Sequence, residues 1–340
     1  MKYIGHTFAI WIAVFFFASS SQAHHSFATH YVPSQPFELE GRVVDFSLRS
    51  PHSFMWLDAE NSAGEIVRWE IEAAASAHLQ RMGVRRDTFQ AGDQVKVIAW
   101  PNRQAGNPLV FGDAFVTADG QLIGDAPNLI LEKDEAAQPV DLSNISGRWQ
   151  VPYPQRLSAP PMILNETGQA AWDNYDAQKS PANTCETSSI PGIWFAPFLA
   201  DIRLNENELV IRYEHYAQVR RVPLSGGPVM SDVNGSFGRA TAHIEGDTLV
   251  VESDAYKASG WGLALAAQVG RDIPSSAEKQ IVERFSVIDG GNTVLLDFSI
   301  EDSFYLAEPY TGQVRLSRVA DDEPIFEFEC ELDAAERFSR

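Results

Sequence analysis

Neutral imidazole is the commonest protein ligand for copper and zinc, and this chain concentrates its histidines. Of eight in all, His24, His25, His30, His52 and His78 fall in one stretch of the N-terminal half. The first follows Ser19-Ser20-Ser21-Gln22-Ala23, which puts small residues at the −3 and −1 positions of a signal-peptidase site. Cleavage after Ala23 would give His24 a free α-amine beside its imidazole, and the two nitrogens of that one residue can chelate a metal ion. A third nitrogen would complete a T-shaped or square-planar set suited to Cu(II). His52 is the first choice for it, with His25 and His30 as further donors. Zinc is the alternative metal, although its structural sites usually take four ligands, often thiolates, and neither cysteine lies in this half. The plain reading stays open beside this one: a solvated terminus, and a hydrogen-bonded His52 at a strand start.

The elements that precede and carry these residues set the context. Lys2 and an apolar run from Phe8 to Ala18 lead to the cleavage site, and the run is too short for a bilayer span, which needs about 20 residues. Residues 1–23 therefore read as a signal peptide, and the protein as periplasmic or secreted. No later stretch is apolar enough to span a membrane. A net charge of −20 repels phosphate backbones and anionic headgroups, which sets aside nucleic acid and membrane surfaces as partners. A metal ion or a small molecule remains. The only two cysteines, Cys185 and Cys330, would meet an oxidising compartment and read as a disulfide.

The patterning is all-β with minor α. Phe37 to Leu48, Phe54 to Asp58, Glu65 to Ala73, Gln94 to Trp100 and Leu109 to Val116 read as strands, with a helix over Ala73 to Met82 stopped by Gly83. Five short strands with a helix after the third predict a small OB-like barrel over residues 24–123. His52 begins the second strand after Ser50-Pro51, on the same parity as Phe54, Trp56 and Asp58; Met55 has the opposite parity and is assigned to a core. Residues 124–144 read as a linker.

From 145 to 340 the chain reads as a second domain. It has a helix over Asn165 to Tyr175 and eight strands: Leu209 to Tyr213, Val219 to Leu224, Ala240 to Ile244, Thr248 to Ser253, Lys279 to Ile288, Thr293 to Ile300, Tyr310 to Val319 and Ile325 to Leu332. Tight turns between them predict a closed antiparallel barrel.

Two resemblances bear on these domains. The start His24-His25-Ser26-Phe27, then Leu39-Glu40-Gly41-Arg42-Val43, Pro51-His52-Ser53-Phe54-Met55-Trp56-Leu57-Asp58 and Ala91-Gly92-Asp93-Gln94-Val95, resembles a family of exported bacterial proteins of unknown function. That family tends to carry Asn-Pro-His where this chain has Ser50-Pro51-His52, and the resemblance implies no activity. A mature terminus beginning with histidine is also similar, in that one residue, to histidine-brace copper proteins. In the second domain Gly147-Arg148-Trp149 resembles the Gly-x-Trp of lipocalin-like barrels, which implies that Trp149 closes one end.

A barrel of that size can hold one small ligand. Trp194, Tyr213, Tyr216 and Trp261 are candidate contacts for an apolar or aromatic molecule, and equally candidate core residues. His215, between Glu214 and Tyr216, is a candidate general acid or base if the barrel is an enzyme, although Glu214 and His215 would face opposite sides of an extended strand. Glu283-Arg284 and Glu301-Asp302 read as surface charges or strand ion pairs. Intact mass of the natively exported protein should correspond to a chain beginning at His24; any other first residue would remove the amine chelate.

Overall fold

The structure, a computed structural model, describes residues 30–32, 35–61, 63–117, 120–124, 141–151, 162–176, 184–196, 198–232, 234–260, 262–263, 273–326 and 328–337. His24, His25, Trp261, the signal segment and most of the linker lie outside the described residues.

Alternation between Phe37 and Val116 produces a closed barrel. Its strands are β1 (Phe37–Ser47), β2 (Ser53–Glu60), β3 (Ile66–Ala73), β4 (Gln94–Trp100) and β5 (Leu109–Val116), with helix α1 (Ser76–Arg81) after the third and a short β6 (Leu122–Gly124) added to β5. β1 pairs with both β2 and β4, and a register shift between Val43 and Asp45 bends it for that double duty. A parallel pairing of β3 with β5 completes the circuit, as expected for an OB-like barrel. Leu39, Met55, Leu57, Ile71, Val97 and Phe115 fill the inside, and Met55, fully buried, sits in the core as its parity requires. Gly83, at φ +91°, ends α1.

The second sheet has ten strands in one antiparallel series: β7 (Gly147–Gln150), β8 (Leu199–Leu204), β9 (Glu208–Tyr213), β10 (Val219–Pro223), β11 (Val229–Met230), β12 (Arg239–Glu245), β13 (Thr248–Asp254), β14 (Gln280–Ile288), β15 (Thr293–Glu301) and β16 (Tyr310–Val319). Each pairs with its neighbour in sequence except β10 and β11, which are the two edges, and β16 returns to β7. The two edges meet where the Arg221 N–H donates to the Ser231 carbonyl at 2.9 Å and the Thr241 hydroxyl to the Pro223 carbonyl at 3.4 Å. The sheet thus rolls into an up-and-down barrel, with helix α2 (Glu166–Asp173) outside the series.

Trp149 is fully buried at one end. Its indole N–H donates to the Ile145 carbonyl at 2.9 Å, and the Arg318 guanidinium lies 4.2 Å from its ring centroid. Arg318 in turn donates to Gly291 O at 2.7 Å. The tryptophan and its arginine therefore pin the 3-10 turn Leu142–Ile145 to the barrel end.

Ten strands replace the eight expected. β7, β8 and the two-residue β11 come in addition, and Ile325 to Leu332 is not a strand. Instead of pairing with a sheet, that stretch joins the two barrels. The Phe326 N–H donates to Glu214 at 2.8 Å, Cys330 bonds to Cys185, and the Glu331 N–H donates to Ser50 O at 2.8 Å before helix α3 (Leu332–Arg337) begins. Arg49 of the first barrel donates to Glu331 and Asp333, each at 2.7 Å. Arg81 at the end of α1 donates twice to Glu214, at 2.5 and 2.6 Å. With its cysteines 145 positions apart in sequence, the disulfide limits the unfolded chain strongly. The double variant Cys185→Ser/Cys330→Ser should lose about 3–5 kcal/mol in guanidinium unfolding.

Candidate functional site

In the first barrel the register of one hairpin brings the predicted ligands to a common point. Asn61 Oδ1 accepts from the Ala63 and Glu65 N–H groups and fixes the turn, so that Glu60 faces Ile66 and Phe54 faces Glu72. His52, two residues before Phe54, then becomes a diagonal neighbour of Glu72. Its Nδ1 lies 3.0 Å from Glu72 Oε1. The other carboxylate oxygen accepts from the Tyr31 hydroxyl at 2.6 Å.

Glu72 is 2% exposed and Tyr31 is fully buried. Tyr31 is held against Phe111, ring centroids 5.7 Å apart, and forms a bridge to Asn102. Its neighbour His30 accepts at its carbonyl from the Arg103 N–H, at 2.8 Å. The arm that leads back toward His24 is thereby fastened over the outer face of β3 and β5. Burial lowers the His30 pKa, opposed by the charge of Glu72; burial, then Glu72, raises that of Tyr31 far above the phenol range.

Of the four predicted metal ligands, the structure puts His52 beside the buried carboxylate of Glu72, 3.0 Å away, and His30 one residue from Tyr31, which donates to that carboxylate. The other two, His24 and His25, lie outside the described residues. Among the described residues no three His, Cys, Asp or Glu side chains are grouped to hold a metal ion, so a complete site would need His24 or His25.

The second barrel has a polar centre in its interior. Glu283 is fully buried. One of its oxygens accepts from the Trp194 indole N–H at 2.8 Å, the other from Arg220 Nη1 at 2.6 Å. Neither Glu283 nor Asp302 is a surface charge: both are buried, and Glu283 makes the strand ion pair of the two readings, inside the barrel with Arg220 of β10. Asp302, 2% exposed, accepts from the Ser276 N–H and hydroxyl at 2.7 and 2.9 Å. Their partners in the sequence reading do remain outside: Arg284 pairs with Glu245 at 2.8 Å on the exposed face, and Glu301 is exposed. Lys279, also fully buried, donates to Ser189 Oγ, Ile190 O and Gly262 O at 2.7–3.0 Å. Burial brings its pKa down to about 7, with Asp302 and Glu283 opposing.

Trp194 and Tyr213, two of the four predicted ligand contacts, belong to this interior, their rings T-shaped with centroids 5.0 Å apart. Tyr216 does not. It sits in a 3-10 turn, at φ 55°, with His215 and Phe328. The His215 ring stacks on Phe198 at 4.7 Å and 9° and meets Phe328 edge-on. Glu214, one residue away, spends both oxygens on Arg81, Leu199 N–H and Phe326 N–H. Burial alone lowers the His215 pKa to about 3.

Sequence reasoning missed Glu72, Tyr31, Arg220, Glu283 and Lys279. Only Glu72 had a usable signal: counting back from the Asn61 turn places it beside His52. The barrel residues alternate inward and outward with other charges, and nothing local distinguishes Glu283 from Arg284.

The fold and these sites define a two-barrel protein, an OB-like barrel followed by a ten-stranded up-and-down barrel. Residues 13–108 match a family of unknown function, DUF6152. No curated protein matches the chain. Among solved structures, a protein titled REP1-NXSQ fatty acid transporter is similar at 12% identity, over 52% of this chain and 98% of its own, with a TM-score of 0.28; likeness at that level carries no argument.

Because His215 is held neutral in the fold and titrates near 6.5 when unfolded, protons bind the unfolded chain preferentially. Its contribution to stability is present above pH 6.5 and is lost as pH falls toward about 3. Urea unfolding of His215→Phe should therefore show a weaker loss of stability between pH 7 and pH 4 than the parent.

Proposed function

We propose that this is an exported metal-binding protein whose metal is copper. His24 is the chelating terminus, His52 and His30 supply further imidazoles, and His25 is a reserve donor. One observation carries the reading. The Nδ1 of His52 lies 3.0 Å from the buried carboxylate of Glu72, whose other oxygen accepts from Tyr31, the residue next to His30. A carboxylate at Nδ1 orients a histidine so that Nε2 is left for the metal, the arrangement common around bound transition ions. From His30 the six residues back to His24 reach up to about 20 Å, which lets the terminus return to His52.

The role suited to such a site is capture, delivery or redox cycling of the ion, with Glu72 and Tyr31 holding the ligand frame. Calorimetric titration of Cu(II) against a competing chelator should give one tight site per chain beginning at His24. One extra glycine before His24 should weaken it at least a hundredfold by converting the amine to an amide, and Glu72→Gln should weaken it about 10–100-fold. Equal affinity of the native and extended chains would overturn the reading.

A further inference from the structure

A second site stands in the C-terminal barrel, independent of the metal. Arg220 is fully buried. Its Nη1 is committed to Glu283, whereas its buried Nε and Nη2 have no hydrogen-bond acceptor among the described residues. Those two nitrogens form the side edge of the guanidinium, and this chain shows twice what that edge takes. Arg68 grips Asp58 with Nε and Nη2 at 2.7 and 2.9 Å, and Arg239 grips Asp254 with the same pair at 2.9 and 2.8 Å. Both of those pairs are on the surface; Arg220 offers the same edge where water is excluded and each unmet donor is costly.

The Tyr213 hydroxyl, buried and without a hydrogen bond of ordinary geometry, lies against the same guanidinium. Glu283 does not compete for the edge, because its oxygens are held by Arg220 Nη1 and the Trp194 indole. It fixes the plane of the guanidinium instead. The surroundings are aromatic: Trp194 packs on Phe285 at 5.8 Å, and Tyr213 on Phe237 at 5.3 Å.

We propose that the barrel interior binds a small carboxylic acid. The carboxylate sits on the Nε/Nη2 edge of Arg220, the Tyr213 hydroxyl is the third donor, and a short apolar or aromatic tail lies among Trp194, Phe237 and Phe285. Planar two-oxygen geometry matches the fork, and the low dielectric strengthens the contact.

The test uses the full chain and two probes, benzoate and hexanoate, with benzamide and hexanol as their uncharged counterparts. Thermal shift and tryptophan fluorescence should both respond saturably to the acids, with the counterparts at least tenfold weaker. Tyr213→Phe leaves the Arg220–Glu283 pair in place and should bind the acids about 3–10-fold more weakly, while Arg220→Lys, if it folds, should lose the response. No saturable response of the folded parent to either acid, equal binding of the uncharged probes, or an unchanged Tyr213→Phe would each overturn the proposal.

Discussion

A carboxylate removed from water must be met by donors or it destabilises the fold by several kcal/mol, and three glutamates impose that condition on this chain. Glu72 draws in Tyr31 and His52, Glu214 draws in Arg81 and the backbone of Leu199 and Phe326, and Glu283 draws in Trp194 and Arg220. Each set comes from segments far apart in sequence. The first fastens the N-terminal arm to the OB-like barrel, the second fastens that barrel to the other, and the third orders the interior of the up-and-down barrel. Hydrophobic burial supplies the driving force for both cores, but the directional demands of these carboxylates decide which segments must arrive together.

Much of the fold was legible because one-sided strands write their burial into parity. Gln94–Trp100, Leu109–Val116 and Tyr310–Val319 have the bounds their alternation implies, and Met55 is in the core for the same reason. Trp149 was readable from Gly147-Arg148-Trp149. β7, β8 and β11 were not, since four, six or two residues give too few alternations to stand out. Ile325 to Leu332 misled for a different reason: its apolar residues serve the junction between barrels, a surface with no periodicity of its own.

The candidate sites were less legible than the fold. The histidine-rich start announced itself by residue type, and His52 by position, but Glu72 depends on a hairpin register and Tyr31 on a contact 41 residues away. Glu283 and Asp302 looked like the outer half of an alternating strand. An inward-facing charge cannot be told from an outward-facing one until its partner is known, and here the partners lie 63 and 26 residues distant.

The C-terminal segment touches Ser50, Arg49, Arg81, Glu214 and Cys185 at once. Chains are made from the N-terminus, and each barrel closes from strands that precede residue 320. Both barrels can thus form before the tail emerges, with Arg81 and Glu214 joining them directly, and the last residues to be synthesised add the remaining bonds across the junction. The tail is a clasp, and a chain cut short of it would keep the Arg81–Glu214 contact but lose every bond that runs through Ser50 and Arg49 to the far end of the chain.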